Sequence, residues 1–333
     1  MKAVLSTLAL IATVAVAQQR CDAEYPETYC NTTEIVSFQT SDCKPFHVFI
    51  VRGSDEPYPG RQGNVSSQVC ASLGKDQCGF ENIEYPAKST AWGKEEWCKS
   101  ASKGASGGQA QVKAYSEKCP KSKLILFGFS QGASVAQDIL GGGGGHVFEC
   151  DQDTNPALES SIGDKFIAAV TFGAVARSRD QNYTIGDGKS FDGTRARTTE
   201  QLSALSKYSD RLSDYCHHGD PICAVGSEPV DVAQHLDYFI LHNEEVVKWV
   251  TEKAKASSPK VSFSTSMAIA KSAAVPTPTP SIIASNTLAA TDSSEAPVSA
   301  QTGETAATGA AGGLSVAYAP IVALAVAALL FTA

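Results

Sequence analysis

Gly128-Phe129-Ser130-Gln131-Gly132 is the segment with the plainest chemical consequence in this chain. It follows the apolar run Leu124–Phe129 and precedes the small residues Ala133-Ser134. A serine between glycines at that spacing, after a strand and before a helix, fits a turn sharp enough to expose its hydroxyl at the sheet edge. A Cβ at either flanking position would clash in such a turn. The backbone N–H of Gln131, opening the helix, then points to where a carbonyl oxygen would acquire charge. Outside this context the five-residue pattern also arises by chance, as a Gly-rich turn around an ordinary serine.

A serine hydroxyl is a weak nucleophile and needs a base held by a carboxylate. In a strand-turn-helix arrangement of this kind the chain order is serine, then acid, then histidine. Asp220 lies between Cys216 and Cys223, which would close a tight loop after the run Leu212–Tyr215 and stiffen the carboxylate. Asp214 and Asp210 are the fallback carboxylates. His217 and His218 are too close in sequence to Asp220 to serve easily as its partner. His242 falls inside an expected helix, whereas His235 sits just before it, where a base could reach inward; His235 is preferred. His47, inside a strand, reads as a core histidine. A metal held by His217, His218 and Asp220 is disfavoured by their crowded spacing, and no paired CxxC units are present. No metal and no cofactor are expected.

The elements that must position these residues are legible as well. Phe46–Val51, Leu124–Phe129 and Phe166–Phe172 are near-continuous apolar runs, as strands buried on both faces should be, and Leu212–Tyr215 is a weaker fourth. Gly108–Cys119, Ala133–Leu140 and Asp237–Lys253 read as helices; in the last, Phe239, Asn243, Val246 and Val250 share a face. Alternating strands and helices imply an α/β fold, with a mostly parallel central sheet flanked by helices on both faces. The five glycines Gly141–Gly145 are expected to form a flexible surface connection; a phosphate loop would need a Lys and a Ser/Thr that are absent.

The chain has 333 residues, 10 Cys and a formal net charge of -8. Met1-Lys2, an apolar stretch to Val16 and Ala15-Val16-Ala17 describe a signal peptide over residues 1–17. Leu314–Ala333 carries no charge and follows the small-residue segment Thr305–Gly313. That pattern predicts a GPI-attachment signal over 304–333, joined somewhere in Ser299–Gly312, with a plain transmembrane helix as the competing reading. Residues 256–303, rich in Ser, Thr, Ala and Pro, read as an O-glycosylated stalk that cannot bury enough apolar surface to fold. Residues 18–42 are an N-terminal extension, and 43–255 form the catalytic domain. All ten cysteines precede residue 224 and, with the sequons at Asn31, Asn64 and Asn182, fit an extracellular protein. Such a chain would touch a membrane only through its lipid anchor. The acidic balance argues against nucleic acid as a partner.

Several ordered motifs together resemble the cutinase / acetylxylan esterase family, from about Cys43 to Lys253. They are Cys43, His47, Val48 and Phe49 in Cys-x-x-x-His-Val-Phe, then Arg52-Gly53-Ser54, Tyr85-Pro86-Ala87, and the Gly-Phe-Ser-Gln-Gly turn. Cys-x3-Asp-Pro-x-Cys at 216–223 and His235 followed by Tyr238 complete the set. The resemblance implies a lidless, single-domain serine α/β-hydrolase with Ser130, Asp220 and His235 as its triad. It implies Ser54 and Gln131 as oxyanion donors, with disulfides Cys43–Cys119 and Cys216–Cys223. Cys70–Cys78 would close a local loop, and Cys21–Cys30 and Cys98–Cys150 are the leftover pairings. Arg52-Gly53-Ser54-Asp55-Glu56 looks like the cutinase branch. The 216–223 loop and the glycine run look like the acetylxylan esterase branch, and Arg177–Arg197 matches neither closely. The expectation is a monomeric serine esterase acting on cutin-like polyester or short acyl esters, with acetylated xylan as the alternative substrate. A non-catalytic wall or adhesion protein on an esterase fold is a further alternative. A base such as His235 must be neutral to accept a proton, so activity is expected to fall at acid pH.

Overall fold

A computed structural model of the chain describes residues 32–257. The expected signal peptide, the Asn31 sequon, the expected Cys21–Cys30 pairing, the expected stalk beyond residue 257 and the expected anchor signal lie outside the described residues.

Along the chain, α1 (Thr33–Val36) precedes β1 (Phe46–Val51), α2 (Gln62–Leu73) and β2 (Cys78–Asn82). Next come α3 (Lys94–Lys118), β3 (Lys123–Phe129) and α4 (Gln131–Gly141). An antiparallel hairpin of β4 (Gly143–Val147) and β5 (Cys150–Asn155) is followed by α5 (Ser160–Gly163) and β6 (Phe166–Phe172). The remainder is β7 (Thr184–Ile185), α6 (Thr199–Ser206), β8 (Leu212–Tyr215), α7 (Ala233–Leu236), α8 (Tyr238–Leu241) and α9 (Asn243–Ser257).

Six strands form one sheet in the order β2-β1-β3-β6-β8-β7, with every neighbouring pair parallel. Alternate side chains of β3 enter different cores, which is why its run is apolar throughout. Leu124 and Leu126 pack with Trp97, Ala101 and Val112 of α3 and Val135 and Ile139 of α4. Ile125, Phe127 and Phe129 pack on the other face with Val65 and Val69 of α2 and Val246 and Val250 of α9. The chain leaves β1 outward to β2 and returns to β3 on the other side of β1. That reversal opens a crevice beyond the carboxyl ends of β1 and β3, where ligands of open α/β sheets bind. Arg52–Ser54 and Ser130 both lie at that edge.

Three elements differ from expectation. Helix α3 begins at Lys94, not Gly108. Its glycines disguise it, yet they are contact points: a Cβ on Gly104 would lie 2.8 Å from the Tyr85 ring, and one on Gly108 2.4 Å from Ile139. The helix expected over Asp237–Lys253 is broken at His242 into α8 and α9. The glycine run is not a flexible surface connection, because Gly141–Gly144 are buried at the end of α4 and the start of β4. A Cβ on Gly143 would meet Asp138 at 2.3 Å and one on Gly144 the Thr154 backbone at 2.5 Å. These glycines are there for room and for positive φ, not for mobility.

Disulfides join Cys43 to Cys119, Cys70 to Cys78, Cys98 to Cys150 and Cys216 to Cys223. The unusual Arg177–Arg197 stretch is structural at both ends. Arg177 pairs with Asp214 at 3.0 Å and Arg197 with Asp138 at 2.7 Å, all four side chains buried. His47 is fully buried, stacked on Tyr115 and 2.9 Å from Glu81. Among the sequons, Asn64 is half-buried in the first turn of α2, and Asn182 is exposed. Among the described residues, no helix is long and apolar enough to cross a membrane.

Candidate active site

The turn between β3 and α4 holds Ser130 at φ +55°, a left-handed conformation that costs a non-glycine residue energy and persists only where its surroundings enforce it. They do so through close backbone approach. A Cβ on Gly132 would fall 2.1 Å from the Val51 carbonyl oxygen, and one on Gly128 would fall 2.5 Å from the Gly132 carbonyl oxygen. The Ser130 N–H donates to the Phe172 carbonyl at 2.8 Å, tying the turn to the end of β6.

The loop after β8 and the short helix α7 bring in the other two groups. His235 Nε2 lies 3.0 Å from Ser130 Oγ, and His235 Nδ1 lies 3.0 and 2.9 Å from the two Asp220 oxygens. A nitrogen facing a carboxylate carries the proton, so Nδ1–H donates to Asp220 and Nε2 is left to accept from the serine hydroxyl. Asp220 is fully buried and His235 nearly so. Asp220 Oδ1 also accepts the N–H of Ile222 at 2.7 Å and of Cys223 at 3.2 Å, inside the loop closed by Cys216–Cys223. Burial pushes the Asp220 carboxyl up, but the charge and hydrogen bond of His235, with the bonds from Tyr238 and Ile222, outweigh it and hold the carboxyl below its usual range.

Ser54 and Gln131 come to the same edge. Gln131 is buried; its Nε2 donates to the Lys88 carbonyl at 3.0 Å and its Oε1 accepts from Ser100 at 3.1 Å. Neither the Ser54 N–H nor the Gln131 N–H has a hydrogen-bond partner among the described residues. Unpaired N–H groups at the edge that carries a serine hydroxyl can stabilise a developing oxyanion where they face it.

The other candidates are placed elsewhere. His242 Nε2 lies 2.7 Å from His217 Nε2, and its Nδ1 lies 2.6 Å from Glu245. Burial lowers the His217 pKa, and its Nδ1 faces the Gln234 carbonyl. The His218 N–H donates to Asp187. Asp214 is bound by Gln137, Thr171 and Arg177, and Asp210 is exposed.

Two residues of the site escape a reading of types and spacing. Tyr238 donates its hydroxyl to Asp220 Oδ2 at 2.7 Å, and its phenol is held far above its ordinary range by burial and then by the carboxylate beside it. Gly173, at φ +60° after β6, leaves the space the imidazole occupies: a Cβ there would sit 2.8 Å from His235 Cε1 and Nδ1. The neighbourhood of His235 and Tyr238 was the available signal for the first; a single glycine after a strand gave none for the second.

A family model described as Cutinase matches residues 42–254. Probable carboxylesterase Culp3 of Mycobacterium tuberculosis is 27% identical over 218 residues, covering 65% of this chain and 71% of that protein. Acetylxylan esterase 2 of Talaromyces purpureogenus is 26% identical over 216 residues, covering 63% of this chain and 87% of its own length. A solved acetylxylan esterase aligns with a TM-score of 0.56 at 24% identity, over 64% of this chain and 100% of its own, which establishes the α/β-hydrolase fold. The chain therefore belongs to the cutinase family and is a carboxylic ester hydrolase.

Proposed function

We propose that this protein is a secreted, surface-tethered serine esterase in which Ser130, His235 and Asp220 carry the reaction through an acyl-enzyme. One observation supports the roles above all: the continuous line from Ser130 Oγ to His235 Nε2 at 3.0 Å and from His235 Nδ1 to Asp220 at 2.9 Å. In the proposed reaction the Ser130 oxygen attacks the ester carbonyl as its proton passes to His235 Nε2. Asp220 orients the imidazole and stabilises its charged form. Charge gathers on the carbonyl oxygen, where the N–H groups of Ser54 and Gln131 each contribute roughly 3–4 kcal/mol. Collapse expels the alcohol with the proton from His235. Water, deprotonated by His235, then attacks the acyl carbon and releases the acid and free Ser130. No step calls for a metal, so a chelator should leave the rate unchanged.

The substrates proposed are short acyl esters or a cutin-like polyester. A second reading, deacetylation of xylan, is favoured by Trp92. The residue is 64% exposed, and its Nε1 donates to Asp55 Oδ1 at 2.9 Å, next in sequence to Ser54, so it presents a flat indole face of the kind a sugar ring stacks on. The name of the Talaromyces purpureogenus relative points the same way. Secretion is supported by the N-terminal segment and the disulfides, and the lipid tether by Leu314–Ala333. Release of the protein from cell membranes by a phosphatidylinositol-specific phospholipase checks the tether.

The test is hydrolysis of p-nitrophenyl acetate and butyrate by the full chain and by Ser130→Ala. Hydrolysis lost in the variant supports the serine mechanism, and the acetate-to-butyrate ratio separates acetyl esterase from cutinase. A folded wild-type protein that hydrolyses neither ester would shift the reading to an adhesion protein.

A further inference from the structure

Every peptide N–H of the Gly53–Asp55 segment is bound to the protein except one. The Gly53 N–H donates to Glu56 Oε2 at 2.7 Å, and the Asp55 N–H donates to the Ala87 carbonyl at 2.7 Å. The N–H left over is that of Ser54. The Gly53 carbonyl, in turn, accepts from the Glu56 N–H at 3.4 Å. That carbonyl and the Ser54 N–H belong to one planar trans peptide and point in opposite directions. Holding the carbonyl toward Glu56 therefore turns the Ser54 N–H away from Glu56 and leaves it available.

Glu56 is suited to this task by its own anchoring. Its side chain is 6% exposed, and its Oε1 lies 3.1 Å from Arg61 Nε. A Cβ on Gly53 would meet the Phe129 ring at 2.7 Å, so position 53 carries no side chain to hold it, and its peptide is held by hydrogen bonds. A buried carboxylate is costly, and Glu56 is kept beside the site without reaching the reacting atoms. Arg52 and Arg61 are the cations facing it, and Asp55 and the buried Tyr85 phenol are the other ionisable groups around it.

We propose that Glu56 is a positioning residue for ester hydrolysis: it sets the peptide whose Ser54 N–H receives the oxyanion, and so acts on the transition state without touching it. The inference rests on the serine-esterase reading above and deepens it. Burial pushes the Glu56 carboxyl up to about 7, against the pull of the Gly53 and Arg61 N–H groups and of Arg52. It therefore gains charge, and a stronger hold on Gly53, as the solution turns neutral.

The experiment compares the full chain with Glu56→Gln, Glu56→Ala and Ser130→Ala. It reads kcat and KM for p-nitrophenyl butyrate from pH 5.5 to 9. Loss of a whole oxyanion donor costs about 10²–10³ in kcat, so Glu56→Ala should lower kcat by roughly 30- to 100-fold with KM changed less than about twofold. Gln keeps an acceptor for the Gly53 N–H without the charge. Glu56→Gln should therefore lose about 3- to 10-fold in kcat at pH 8, and its pH profile should lack one ionisation that the wild type shows. If the alanine variant does not fold, the glutamine variant decides. A folded glutamine variant with wild-type kcat and an unchanged pH profile would overturn the proposal, as would a change confined to KM. Undiminished hydrolysis by Ser130→Ala would overturn the serine-esterase reading, and this inference with it.

Discussion

The phenol of Tyr238 reaches Asp220 Oδ2 at 2.7 Å and is itself braced by the His217 N–H at 3.1 Å and the stacked His217 ring. The carboxylate thus accepts from Ile222, Cys223, Tyr238 and His235 at once. Tyr238→Phe removes one of these donors and leaves the ring in place. A hydrogen bond to a charged group is worth about 1.5–3 kcal/mol, so the variant should lose stability of that order at pH 7. Its kcat should fall about 5- to 20-fold as Asp220 holds His235 less firmly. The pH dependence has a definite sign. Asp220 is depressed in the fold, so its stabilisation is present above the ordinary carboxylate range and is lost as pH falls through the lower folded value. Denaturant unfolding should therefore show the full gap at pH 7 and a narrowing gap below about pH 4. An equal gap at both pH values would mean that Tyr238 supports only packing. Residues such as Ser130 are legible in the sequence because a tight turn demands glycines at fixed offsets. Asp220 and His235 could be named from chain order and loop position. Tyr238 and Glu56 depend on which atom meets which across the fold, and residue type alone does not encode that.

Elements explain why some positions allow no substitution while others disguise the structure. β1 and β3 could be read from sequence because strands buried on both faces need unbroken apolar runs. Strand β2, last in the sheet order and bridged on its other side only at Phe80 to Gln39, carries Gly79, Glu81 and Asn82 and lacks that signature. Helix α3 and the β4 strand are obscured for one reason: glycine lowers helix and strand propensity, whereas here it lets neighbouring elements approach. The β1–α2 loop carries a measurable consequence. Its Glu56 is raised from an ordinary 4.5 to about 7, so the stability tied to its neutral form is present below pH 4.5 and is lost as pH rises through 7. At pH 8 the ionised carboxyl costs up to about 3 kcal/mol. Glu56→Gln cannot ionise and should melt at a higher temperature than the wild type at pH 8, with the two converging near pH 5. A lower melting temperature for the variant at pH 8 would mean that Glu56 is kept for stability, not for positioning.

The whole molecule joins a serine placed at a topological switch point to a frame stitched by four disulfides among the described residues. Cys43–Cys119 spans 76 residues and ties the entry of β1 to the end of α3. Cys216–Cys223 spans 7 and encloses Asp220. The longer link restrains the unfolded chain, and the shorter one fixes the loop that carries the acid. The central claim is that Ser130 is the atom-bearing nucleophile of this site, and covalent labelling tests it most directly. The full chain is treated with diethyl p-nitrophenyl phosphate, digested and mapped by mass spectrometry while residual esterase activity is followed. The account predicts one diethylphosphoryl group per chain, on Ser130, with activity lost in proportion to labelling. Complete inactivation with Ser130 unmodified, or full activity with Ser130 labelled, would contradict it.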